Sequence, residues 1–156
     1  MTRLSVVVDS SALIALDGIG LLDRLGPLFE SCLIPPAVAR ETAATVRRPD
    51  WIAIRSPTQP LDARVELTGL DQGETEVLGL ALELGSHTAI VDERRARRTA
   101  LALGLPLIGA VGLLARAKRA GMLQDIRPSI EALQRSGFFV SDALIERVLR
   151  EAGESS

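Results

Sequence analysis

Four acidic residues carry the chemistry of this chain: Asp9, Glu41, Glu74 and Asp92. Asp9 ends the apolar run LSVVVD and Asp92 ends TAIVD, and each run gives way at once to a helix-like stretch. Carboxylates so placed stand at the C-terminal tips of parallel strands, the edge at which open α/β sheets bind ligands. Glu41 keeps helical phase with Ala37 and Val38, which turns it toward the core side of its helix. Glu74 sits just before Val77 and Leu78, at the end of another buried stripe. In a parallel sheet all four acids crowd one edge, where they repel one another unless a cation stands between them. Oxygen donors without histidine or cysteine select a hard ion, Mg²⁺ or Mn²⁺. Such an ion suits phosphodiester hydrolysis, because it activates water and steadies the leaving oxygen. Asp9, Glu41, Glu74 and Asp92 are therefore both the candidate catalytic residues and the candidate metal ligands.

Each acid also has a structural reading. Asp9 and Asp92 could cap the helices that follow them, and Glu41 could pair with Arg40, Arg47 or Arg48. Asp71 and Glu74 have the spacing of a capping box, and Asp71 is assigned to capping. Glu76 and Glu83 fall on the polar face of their helix and are read as solvated. Competing chemistries lack their residues. There is no GxxxxGK[ST] phosphate loop, Gly18 and Gly20 lack a third glycine in register, and Ser11 stands where an aspartyl-phosphate enzyme needs a second acid. His87, the one histidine, falls in an expected surface turn with no triad around it. The lone Cys32 rules out an intrachain disulfide and a cysteine zinc site, and reads as a buried small hydrophobe.

The elements that must position the acids alternate β and α. LSVVV is a strand, and SSALIALDG a helix entered through Ser10 or Ser11, with a further short helical piece ending at Gly26. CLI (32–34) is a strand closed by Pro35, and Pro36 opens the helix of Glu41. WIAIRS (51–56) is an edge strand followed by a proline-containing loop. LDQGETEVLGLALELG is the clearest helix, stopped by Gly85. TAIV, ERRARRTALALG, LPLIG and VGLLARAKRAG then run strand, helix, strand, helix. This order implies an α/β fold with a central parallel sheet. From 126 to 152 only a C-terminal helical pair remains, about Ser129–Arg135 and Asp142–Ala152 with Ser141 as a cap, and a frayed tail follows. One domain over 1–156 is expected.

Composition narrows the function classes. Aromatics make up 3% against 47% hydrophobic residues, so broad base-stacking platforms are not expected. Eighteen Lys and Arg against 20 Asp and Glu exclude a strongly basic nucleic-acid module. The apolar stretch LALGLPLIGAVGLLA is too short and too rich in Gly and Pro to span a membrane. A cytoplasmic protein is expected.

The ordered set Asp9 in VVVDSSALIAL, Glu41 in PPAVARE, Glu74 in LDQGETEVLGLALELG and Asp92 in AIVDERRARRTA resembles the PIN-domain nucleases. GETE, DERRARR and IGAVGLLARAKRAG through SGFFVSDALIERVL resemble the DUF3368 branch, grouped with VapC-type toxins. The resemblance spans nearly the whole chain. It implies a three-layer α/β/α sandwich, a Mg²⁺ or Mn²⁺ site at the sheet edge, and endoribonuclease activity on RNA. It also implies a toxin restrained by a small antitoxin, and a homodimer. Two positions depart from the pattern: Ala110 replaces a hydroxyl residue after the last core strand, and Arg94 replaces an acid two residues beyond Asp92. The second departure implies one metal, or a weak second one. Arg94, Arg95, Arg97 and Arg98 open the helix after Asp92, where some of them can meet a phosphate backbone while others face solvent. Arg116, Lys118 and Arg119 form a second basic patch, and Ser10 is placed either to contact a phosphate or to cap its helix. A non-catalytic RNA- or protein-binding module of the same fold is the alternative.

Overall fold

The computed structural model describes residues 2–66 and 69–154. Five strands form one sheet in the order β3-β2-β1-β4-β5, every neighbouring pair parallel. These are β1 (Leu4–Val8), β2 (Phe29–Ile34), β3 (Ile52–Ile54), β4 (Thr88–Ile90) and β5 (Leu107–Ile108). The helices are α1 (Ser10–Gly18), α2 (Pro36–Thr42), α3 (Ala63–Glu66), α4 (Gln72–Leu84), α5 (Arg94–Ala102), α6 (Ala110–Arg119), α7 (Arg127–Arg135) and α8 (Asp142–Glu151).

Successive residues of a strand face opposite sides of the sheet. Val6 and Val7 in β1, and Ala89 and Ile90 in β4, are all fully buried, so both faces are covered by helices. The result is the expected three-layer α/β/α arrangement, and it explains why these strands read as unbroken apolar runs. The chain leaves β1 toward β2 and β3, then returns to the other side of β1 to form β4 and β5. The strand order thus reverses at β1, and the crevice beyond the ends of β1 and β4 is the switch point where such sheets bind ligands. Val8 of β1 stands in register with Ile90 of β4, and the Asp9 N–H donates to the Ile90 carbonyl at 3.1 Å. Asp9 and Asp92 therefore leave adjacent strands at almost the same level.

Several local expectations are corrected. The cap of α1 is Asp9 rather than a serine: its carboxylate accepts from the Ala12 N–H. The piece after Gly18 is two 3₁₀ turns, Leu22–Arg24 and Gly26–Leu28, and β2 begins three residues before Cys32, at Phe29, which pairs with Leu4 of β1. The expected loop after β3 is followed by a four-residue helix, α3. α7 starts at Arg127, with Pro128 in its first turn, where a missing N–H is harmless.

The C-terminal helices pack on different partners, α7 on α1 and α8 on α6. The tail is not loose at Glu154. Its carboxylate, 8% exposed, accepts from the Ile126 and Arg127 N–H groups at the start of α7 and from Lys118 Nζ at 2.7 Å. Lys118 is thereby taken out of the expected basic patch. Ser155 and Ser156 lie outside the described residues. No helix among the described residues is long and apolar enough to cross a membrane.

Candidate metal centre

Asp9 is the focus of the sheet edge. It is 3% exposed, and its carboxyl is pushed up to about 7. Burial is the main cause; the Ala12 N–H pulls the other way, and the negative charges of Asp92, Glu74 and Asp71 add to the rise. The capping role and the site role therefore coexist in one side chain, with one oxygen used by α1 and the whole group within reach of its acidic neighbours' fields.

Asp92 follows β4 and points across to the next helix. Its carboxylate accepts from the Ala110 N–H at 3.0 and 3.2 Å, so it binds the start of α6, while its neighbour Glu93 caps α5 through the Ala96 N–H. Burial raises the Asp92 carboxyl, against the pull of that N–H and of the Arg97 guanidinium. Gly109 makes the approach possible: a Cβ there would stand 2.6 Å from Asp92 Oδ1 and 3.0 Å from Arg97 Nη1. Any side chain at 109 would displace the carboxylate.

Glu41 is not turned into the core. It is exposed, whereas the next residue, Thr42, is buried with Val38, so the core face of α2 runs past Glu41 rather than through it. Its partner is no arginine. Ser10 Oγ donates to Glu41 Oε2 at 2.9 Å, tying the last turn of α2 to the first residue of α1. On its other side the carboxylate lies against Gly73 in the first turn of α4, where a Cβ would come within 2.5 Å of Oε1. Ser10 thus does not cap its helix; its hydroxyl is engaged by Glu41.

Glu74 completes the capping box in full. Its N–H donates to Asp71 at 2.8 Å and its Oε1 accepts from the Asp71 N–H at 3.2 Å. Burial, with the charges of Asp71 and Glu93, raises its carboxyl. Two acids read as solvated are structural instead. Glu76 accepts from the Ala37 N–H at the start of α2, and Glu83 holds the loop after β3 through the Thr58 and Gln59 N–H groups. Helix phase places both away from the sheet, but a neighbouring backbone segment supplies donors that no sequence pattern announces.

The structure thus brings Asp92 and Glu74 close enough for their charges to act on Asp9, and sets Glu41 beside the start of α4. Among the described residues, no three or more His, Cys, Asp or Glu side chains form a group that could hold a metal ion as they stand. The donor chemistry nevertheless fits a hard cation. The groups are all carboxylates, Asp9 is buried without an ion pair among the described residues, and its neighbours worsen rather than relieve its charge. Glu41 is exposed and Glu74 half-buried at a helix start, so both carboxylates can turn toward an ion without repacking the core.

Of the arginines, Arg97 is folded back, its Nη1 donating to the Val91 carbonyl at 2.9 Å beside Asp92. Arg95 reaches the Gly69 carbonyl at 3.3 Å. Arg94 and Arg98 are exposed and line a groove of about 490 Å³ that opens at Asp92. His87 bridges Ser86 and Ser31, and burial together with the Arg55 charge keeps it below its ordinary value, hence neutral. Burial pushes the Cys32 thiol up to about 12, which leaves it without thiolate chemistry. Gly73 and Gly109 are the site residues that sequence reasoning missed. The signal for both was a glycine at a helix start, where a side chain would ordinarily be tolerated.

No curated protein matches the chain. A family model described as DUF3368: PIN domain matches residues 5–154, which includes every residue of the acidic edge. With a parallel sheet whose switch point gathers Asp9, Glu74 and Asp92, the chain belongs to the PIN-domain family and has its nuclease-type fold.

Proposed function

We propose that the protein is a metal-dependent endoribonuclease that hydrolyses RNA phosphodiester bonds at the ends of β1 and β4. One observation carries this reading: a buried carboxylate, Asp9, surrounded by further carboxylates and lacking a cationic partner among the described residues. Asp9 and Asp92 would hold a Mg²⁺ or Mn²⁺ ion, with Glu74 and Glu41 closing its outer side. When bound, such an ion supplies positive charge to the phosphate oxygens and makes water a stronger acid. The chain's own residues do the positioning. The Ala110 N–H fixes Asp92, Ser10 fixes Glu41, and the Arg97–Val91 bond holds the loop after β4. Arg94 and Arg98, with Arg95 beside them, present positive charge to the phosphates of the strand.

Family membership supports four further parts of the proposal. The protein acts as the toxin of a toxin–antitoxin pair, a small antitoxin restrains it, and it works in the cytoplasm as a homodimer. Asp9→Asn is expected to abolish RNA cleavage at matched Mg²⁺ while the circular dichroism spectrum stays that of the parent. Cleavage at the parental rate would remove Asp9 from the machinery.

The second reading, a non-catalytic RNA- or protein-binding module, draws on the present engagement of Glu41 by Ser10 and of Glu74 by the capping box. Calorimetric titration with Mn²⁺ separates the two. Heat of binding that disappears in Asp9→Asn favours the nuclease, and its absence in the parent favours the module.

A further inference from the structure

Phe139 is 82% exposed and Leu101 68% exposed, and both line the groove whose walls also include Arg94, Arg98 and Asp92. The neighbouring Phe138 packs against the core and its N–H donates to the Leu133 carbonyl, so the turn between α7 and α8 is anchored while Phe139 projects outward. Phe139 is the one large exposed aromatic among the described residues, and with Leu101 it forms an apolar patch on the groove wall rather than an isolated exposed side chain. The side chains of Arg94 and Arg98 make no hydrogen bond or ion pair among the described residues, although Arg98 lies close enough to Glu93 for its charge to act there. The groove therefore offers an open ring face beside two available guanidinium groups, and it leads to the proposed centre.

From this juxtaposition we infer that the groove is a subsite for single-stranded RNA, in which Phe139 stacks on a base flanking the scissile phosphate and Arg94 and Arg98 bind the adjoining phosphates. It deepens, and rests on, the ribonuclease reading above. Charge selects the occupant, because the arginines complement a polyanion and the ring complements a base. Strandedness follows from the same geometry. Bases in an A-form duplex are stacked on one another and offer no free face, whereas a single strand can splay a base onto the ring. The low aromatic content excludes an extended platform, and a one-base clamp needs only one ring.

The test measures binding by fluorescence anisotropy in chelator, so that cleavage plays no part. The probes are a short single-stranded RNA, its abasic counterpart with the same phosphates, and the corresponding duplex. The parent should prefer the single-stranded RNA to both other probes. Phe139→Ala should weaken RNA binding about tenfold, within the range of one base–aromatic stack, and leave the abasic strand unaffected. Phe139→Trp should restore binding, and Arg98→Ala should weaken RNA and abasic strand alike. Parental RNA affinity in Phe139→Ala overturns the subsite, as does an equal loss on the abasic strand. So does sedimentation of the parent as a dimer and of Phe139→Ala as a monomer, which would give this face to a second copy. Because Asp9→Asn cleavage tests the centre and chelated binding tests the groove, failure of one is read separately from failure of the other.

Discussion

Replacing Asp9 by Asn removes a charge while keeping the shape and the acceptor for the Ala12 N–H, since Asn caps helices as well as Asp does. The folded protein holds the Asp9 proton up to about pH 7, whereas the unfolded chain releases it near 3.8. Between those values the unfolded state binds fewer protons, so parental stability falls as pH rises. At about 1.4 kcal/mol for each tenfold change, the full penalty above pH 7 is about 4 kcal/mol, an upper figure because water penetration and relaxation soften it. Asp9→Asn should therefore match the parent below about pH 4, gain on it through the window from about 4 to 7, and lead by about 2–4 kcal/mol at about pH 8. For a chain of this size that is roughly 4–15 °C in Tm. Urea and thermal denaturation in chelator across this range measure it. Saturating Mn²⁺ should then stabilise the parent by about 3 kcal/mol at a hundredfold excess over Kd and leave the Asn variant unmoved. A variant no more stable than the parent in chelator at about pH 8 would refute the electrostatic account of Asp9. Equal stabilisation of both proteins by Mn²⁺ would refute its role as a ligand.

Two further outcomes follow from single contacts. Gly73→Ala should leave stability unchanged or raise it by up to about 1 kcal/mol through helix propensity, because the clashing Glu41 carboxylate is the exposed end of a flexible side chain that can swing away. The same displacement breaks the Ser10–Glu41 bond, and cleavage should fall about a hundredfold; full activity would show that Glu41 is not needed where it lies. Glu154→Gln should cost about 1–3 kcal/mol in urea denaturation at neutral pH by breaking the clasp on Lys118 and α7. Burial works against the Glu154 carboxylate, but Lys118 and the Ile126 and Arg127 N–H groups together hold it below its ordinary 4.5. The stabilisation is thus present above that value and lost as pH falls through the folded one, and the gap between parent and variant should close in acid. A gap that persists unchanged in acid would assign the loss to packing rather than to charge.

The sequence by itself determined the sheet, its direction and the place of the two aspartates. Apolar runs such as VVV and AIV have no polar face to expose, and alternation with helices leaves parallel pairing as the way to bury both sides. The long helix from Gln72 to Leu84 was equally legible, since its capping box, buried stripe and Gly85 at φ 69° are all local. What only the tertiary structure decided were contacts between segments remote in sequence. Strand order put the tip of β4 beside that of β1. The seating of α2 turned Val38 and Thr42 inward and left Glu41 exposed, to be met by Ser10 and Gly73. Asp92 caps α6, eighteen residues on, instead of the helix it precedes, and Glu154 reaches back 28 residues to the start of α7. A carboxylate's partner is whichever donor the fold brings within about 3 Å, and periodicity along one chain cannot specify that. The same holds for Phe139, whose place on one groove with Arg94, Arg98 and Asp92 is set by the turn after α7 and not by its neighbours in SGFFV.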